Sequence, residues 1–246
     1  MCEHHVNRRQ ALVGISSTVA ALILSRISFA SEPAHEAPQG AAPAPAAHAP
    51  PAGITPDEAL NRLKAGNARF VGSKMEHPNL TAKRITETST GQHPFATIIS
   101  CSDSRVPAEE VFDRGIGDLF VIRVAGNVVH TDELGTAEYG SGHLGVSLIV
   151  VMGHTKCGAV TAVVKGDKVG GSIPKLVGSI VPVAERVKAK GLTGDALILE
   201  TTKENVRQGI TDLTASSDEL LHLVKSGKVK IVGALYHVED GQVEWL

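Results

Sequence analysis

Val146-Ser-Leu-Ile-Val-Val-Met152 leads directly into Gly153-His154-Thr155-Lys156-Cys157-Gly158. An apolar run of this length, closed by glycine, reads as a strand buried on both faces. Phe95–Ser100, Asp118–Arg123 and Val229–Tyr236 repeat the pattern, and Gln242–Trp245 adds a short edge strand after the Asp240-Gly241 turn. Helical patterns lie between them, around 131–145, 157–166, 174–189, 200–214 and 216–226. Thr55-Pro56-Asp57-Glu58 opens a further helix through about Val71, with a hydroxyl cap, proline at the first helical position and acids in the first turn. Continuous apolar strands alternating with helices predict an α/β fold: a mostly parallel central sheet flanked by helices.

In such sheets ligands gather beyond the carboxyl ends of the strands. Cys101-Ser-Asp-Ser-Arg105 follows the first strand and His154-Thr-Lys-Cys157 follows the third. Two thiolates and an imidazole make a three-ligand zinc set with a fourth position open to water or substrate. Cys157 also falls near a helix start, where backbone N–H groups favour the thiolate. A Cys101–Cys157 disulfide is the other reading of two cysteines in an exported chain. It leaves His154, Asp103 and Arg105 without a role.

The 246 residues are 42% hydrophobic and 20% charged, with a formal net charge of -2. That composition suits a globular domain. The slight negative balance disfavours a nucleic-acid binder, which would be basic. The chain opens as an export signal over residues 1–30. Arg8-Arg9 precedes an apolar run from Ala11 to Leu24, and Ser28-Phe29-Ala30 offers a cleavage site. The run falls short of the roughly 20 residues of a membrane span, so no stable membrane insertion is expected after processing. Asn7-Arg-Arg-Gln-Ala-Leu-Val13 resembles a twin-arginine signal; a Sec signal carrying two arginines and an uncleaved N-terminal anchor are the alternatives. Folding and loading with metal before export would protect the two thiols, which favours the twin-arginine route to a bacterial periplasm. Residues 31–53 are Ala/Pro-rich without an apolar period and read as a disordered linker. The folded domain is expected over 54–246.

Cys101-Ser-Asp-Ser-Arg-Val-Pro-Ala-Glu109, Arg123-Val-Ala-Gly-Asn127 and His154-Thr-Lys-Cys-Gly158, in this order, resemble a β-class carbonic anhydrase. The resemblance covers Thr55 to Leu246. It implies zinc held by Cys101, His154 and Cys157, with an Asp103–Arg105 pair beside the metal. In some members of the family the aspartate becomes a fourth ligand, so Asp103 stands under both roles. Gln92 matches a substrate-facing glutamine, and Phe120 and Tyr139 match two pocket aromatics. Ala125 would join their apolar side, and Gly158 would let a backbone N–H approach the site. The implied reaction is reversible hydration of carbon dioxide to bicarbonate and a proton by attack of a zinc-bound hydroxide. In it Asp103 orients the nucleophile, Arg105 holds Asp103, and Gln92 donates to a substrate oxygen.

The resemblance also implies a homodimer, often paired into tetramers. The helix over 55–71 could reach across a partner or pack on its own subunit. Rival readings are a carbonyl sulfide or carbon disulfide hydrolase of the same fold, and a zinc-binding protein without catalysis. Gly115-Ile-Gly117 is a fragment of a dinucleotide loop, but it lacks the third glycine and precedes a strand. His4 and His5 belong to the signal and His35 and His48 to the linker. His77, His93, His130, His143, His222 and His237 are expected to be solvated or locally bonded.

Overall fold

Thr55 caps α1 (Pro56–Val71) by accepting a hydrogen bond from the Glu58 N–H at 3.2 Å. The computed structural model describes residues 53–246. The expected export signal and nearly all of the expected linker lie outside the described residues. α1 packs on its own chain. Ala59 and Leu63 enter the core beside Phe112, and the Asn67 amide donates to the carbonyls of Val111 and Gly241.

The sheet has five strands: β1 (Ala96–Ser100), β2 (Leu119–Arg123), β3 (Leu148–His154), β4 (Lys230–Tyr236) and β5 (Val243–Trp245). Their spatial order is β2-β1-β3-β4-β5. The β1–β2, β1–β3 and β3–β4 pairs are parallel, and only β4–β5 is antiparallel. Successive side chains of β3 alternate between two cores, as a strand's period of two requires. Leu148, Val150 and Met152 join the core under α1, while Ile149 and Val151 join the one that holds Val206, Leu213 and Leu220. Those three belong to α8 (Gly194–Ala215) and α9 (Asp218–Lys225).

From β1 the chain winds outward to β2 on one side and to β3 on the other. The strand order therefore reverses between β1 and β3, the switch point at which such sheets bind ligands. β3 runs two residues beyond its expected end, because Gly153 and His154 continue to pair with Leu235 and Tyr236 of β4. Glycine at 153 does not end the strand. It makes room for α8, since a Cβ there would stand 2.8 Å from Val206 Cγ2.

The connections differ from expectation in three further places. The helix expected over 174–189 is two, α6 (Ile173–Val177) and α7 (Ile180–Lys188). Pro182 explains the break: it has no N–H to donate and its ring crowds the carbonyl four residues back, at Gly178. The helix expected over 131–145 is α4 (Thr131–Glu138) followed by a wide turn, Tyr139–His143. Gly140 packs closely there, with room for no more than its hydrogen beside Thr97 Oγ1 and Phe120. Short α2 (Ala82–Thr88) and α3 (Ala108–Val111) carry too little apolar period to be read from the sequence. α5 (Gly158–Lys165) begins where its pattern begins. No helix among the described residues is long and apolar enough to cross a membrane.

Candidate metal centre

Cys101 follows the last residue of β1, His154 ends β3, and Cys157 is the residue before α5. The topology thus brings Cys101 to the switch point beside His154 and Cys157, which lie more than 50 residues further along the chain. Their ligand atoms lie within 4.8 Å of one another, and all three residues are buried. Both cysteines are free thiols.

The neighbouring backbone fixes the donors. His154 Nδ1 lies 2.9 Å from the Thr155 carbonyl oxygen. A carbonyl can only accept, so Nδ1 carries the proton and Nε2 presents a lone pair. That Nε2 is fully buried and has no hydrogen-bond partner. A buried acceptor facing two thiols, left unsatisfied by the protein, fits a metal ligand. Cys101 Sγ accepts the Gly126 N–H at 3.3 Å. Gly126 has φ 75, and a Cβ there would come within 2.9 Å of Ile180 Cδ1. Glycine is favoured here for its conformation, and a Cβ would in addition press on Ile180 and Ala159.

The thiols are strongly polarised by each other. The adjacent Cys157 thiol, with the N–H groups of Gly126 and Asp103, draws the Cys101 thiol down against the cost of burial. Cys157, beside that sulfur and buried, is pushed up. The N–H groups of Val160 and Ala159, at the start of α5, favour the Cys157 thiolate against the cost of burial.

Asp103 stands at the rim. Arg105 donates Nε to its Oδ1 at 2.9 Å and Nη2 to its Oδ2 at 2.8 Å, and the Arg105 backbone N–H adds a third bond to Oδ1 at 3.0 Å. These bonds hold the Asp103 carboxyl well below the usual carboxylate range. Oδ2 remains 3.8 Å from His154 Nε2. The structure thus shows the aspartate paired with arginine and outside the three-ligand cluster. Arg123, at the end of β2, donates to the carbonyls of Cys101 at 3.2 Å and Asp103 at 2.7 Å. Sequence reading placed Arg123 in a motif without a role. Its two bonds hold the loop that carries Cys101 and Asp103.

The expected pocket residues divide. Ala125 lies in the turn that presents the Gly126 N–H to Cys101. Gly158 adjoins Cys157, and a Cβ there would meet nothing within 4 Å, so its surroundings are open. Phe120 and Tyr139 touch each other, with ring centroids 6.1 Å apart. Phe120 sits three residues before Arg123 on β2, roughly 10 Å back along the strand. Gln92 is exposed and lies in the segment before β1, at the end of the sheet opposite Cys101. Among the other histidines, His130 meets Ser179 Oγ at 3.2 Å and His237 lies 3.4 Å from Glu244.

Residues 96–243 match the family described as Carbonic anhydrase. The chain belongs to the carbonic anhydrase family. Carbonic anhydrase 2 of Mycobacterium tuberculosis is 39% identical over 191 residues, spanning 76% of this chain and 91% of that one. The carbonic anhydrase of Mycolicibacterium smegmatis is 39% identical over 194 residues, spanning 77% and 92%. The β-carbonic anhydrase CafA of Aspergillus fumigatus superposes with a TM-score of 0.63 at 29% identity, covering 77% of this chain and 89% of that one. The class is therefore the β class, and the mostly parallel sheet with its Cys-His-Cys cluster is a β-carbonic anhydrase fold.

Proposed function

We propose that this carbonic anhydrase catalyses the reversible hydration of carbon dioxide to bicarbonate and a proton, with zinc held by Cys101, His154 and Cys157. The observation that carries the reading is the buried, partnerless His154 Nε2 facing two thiols beside an arginine-clamped carboxylate. Two sulfurs and one imidazole nitrogen are a donor set suited to zinc. When bound, the metal supplies the Lewis acidity that makes a hydroxide nucleophile available near neutral pH.

The chain's own residues do the rest. Ionised Asp103 accepts the proton-bearing side of the attacking oxygen and so turns a lone pair toward the substrate carbon. Arg105 holds that carboxylate in one orientation and keeps it charged. The amide of Gln92 donates to the substrate oxygen on which negative charge grows, and Phe120, Tyr139, Ala125 and Gly158 line the substrate's side of the pocket. Gln92, Phe120 and Tyr139 would do this from a neighbouring copy, so a homodimer or homotetramer is part of the proposal. β2 is an edge strand and Tyr139 is 47% exposed, which leaves this face available to a partner.

We also propose export to a bacterial periplasm behind the signal over residues 1–30, supported by Arg8-Arg9 and the apolar run that follows. Carbonyl sulfide and carbon disulfide hydrolysis would use the same ligands. Parallel assays with the three gases test the choice. Carbon dioxide should be turned over by far the fastest, and a chain that hydrolyses the sulfur gases while leaving carbon dioxide untouched would overturn it.

A further inference from the structure

Only Thr155 and Lys156 separate the ligands His154 and Cys157. Each carries a backbone carbonyl that the site uses. The Thr155 carbonyl accepts the His154 Nδ1–H at 2.9 Å, and the Lys156 carbonyl accepts Arg105 Nη2 at 3.2 Å. The orientation of two successive peptide planes thus sets both the imidazole and the arginine. Lys156 has φ 55, a left-handed conformation that a side-chain-bearing residue keeps only when its surroundings hold it.

The hold comes from a distant turn. Beyond β4, Glu239 accepts the Thr155 hydroxyl on Oε2 at 2.6 Å, and its Oε1 lies 3.1 Å from Lys156 Nζ. One carboxylate therefore spans both residues of the connector. The Thr155 hydroxyl in turn accepts the Val238 N–H at 3.0 Å, and the Thr155 N–H donates to the Tyr236 carbonyl at 2.9 Å. Thr155 is fixed on both sides, and Glu239 is the only side chain in that set of bonds to it.

We propose that Glu239 is a positioning residue of the metal centre, gripping the Thr155–Lys156 connector so that His154 Nε2 points at the two sulfurs. The inference rests on the zinc reading above. The Lys156 contact by itself is an exposed ion pair and contributes little. The bond to the Thr155 hydroxyl is the part that transmits. Partners that orient a ligating histidine typically change metal affinity by about 10–100-fold when removed.

The test is a zinc competition against a chelator of known affinity, on the full folded chain, with the absorption bands of the cobalt(II)-substituted protein as a second readout. Glu239→Ala should bind zinc at least about 10-fold more weakly and shift the cobalt bands. Glu239→Gln keeps an acceptor for the Thr155 hydroxyl and should lose no more than about fivefold, the worth of the exposed ion pair. Thr155→Val should lose at least as much as Glu239→Ala, because it also removes the acceptor of the Val238 N–H, and the double variant should lose no more than Thr155→Val alone, because the shared bond is lost once. A Glu239→Ala chain with unchanged zinc affinity and cobalt bands would overturn the inference while leaving the zinc reading intact, as would fully additive losses in the double variant. A parent chain that takes up no zinc would overturn both together.

Discussion

Arg105 grips both carboxylate oxygens of Asp103, at 2.9 and 2.8 Å, and leaves Oδ2 3.8 Å from the ligating nitrogen of His154. In this arrangement the carboxylate is paired with arginine and lies beside the Cys-His-Cys cluster, where it would act on what a metal there binds. Asp103→Asn should therefore retain zinc and lose at least about 100-fold in hydration rate, since a neutral amide no longer orients the nucleophile as an ionised acceptor. Arg105→Ala should follow in the same direction by releasing the carboxylate. Zinc analysis beside stopped-flow hydration separates the two effects. Loss of zinc from Asp103→Asn, or an unchanged rate, would contradict this division of roles.

The pH dependence follows from the same groups. The Arg105 bonds depress the Asp103 pKa in the folded chain, so the stability this pair contributes is present above the ordinary carboxylate value and is lost only as the pH falls below it. Asp103 therefore stays ionised throughout the range in which the thiol ligands compete with protons for the metal. Acidification should release zinc before Asp103 titrates. Hydration should rise from neutral toward alkaline pH, because two thiolates cancel the formal charge of the metal and weaken its acidity. Zinc release followed with an indicator dye across a pH series checks the first point, and the rate profile checks the second.

Gly126→Ala tests the backbone donor to Cys101. The substitution forces a Cβ to within 2.9 Å of Ile180 Cδ1 at a residue with φ 75. A destabilisation of about 1–3 kcal/mol is expected from crowding and strain combined, together with weaker zinc retention as the N–H shifts from Cys101 Sγ. Chemical denaturation with and without zinc measures both. A variant as stable and as tightly metallated as the parent would remove Gly126 from the site.

Much of this was legible in the sequence because it is local. The strand over 95–100 is Ala96–Ser100 in the structure and that over 229–236 is Lys230–Tyr236, since buried parallel strands are continuous apolar runs. Cys101, His154 and Cys157 were readable because ligands at strand ends leave a short, chemically distinctive signature. What escaped reading is non-local. The bonds of Arg123 to Cys101 and Asp103, and of Glu239 to Thr155, join residues with no shared periodicity. Gly153 looks like a stop until the β4 partner that continues the strand is known. The split at α6 and α7 was within reach, because Pro182 excludes an uninterrupted helix through Gly178.

Export can be tested without touching the enzyme. Arg8→Lys with Arg9→Lys keeps the charge of the signal but removes the pair itself. If transport reads the pair, the variant should remain active and stay inside the cell, as cell fractionation with an activity stain would show. Normal export of the double variant would point to a Sec signal.

The central claim is that Cys101, His154 and Cys157 hold the zinc on which carbon dioxide hydration depends. It is tested most directly by removing the metal with a chelator, adding zinc back in known amounts, and following hydration by stopped flow at each step. The account predicts about one zinc per chain, a rate that vanishes on chelation and returns in proportion to zinc added, and no recovery in Cys157→Ser. Full hydration activity in a zinc-free chain, with Cys101 and Cys157 joined as a disulfide, would contradict it.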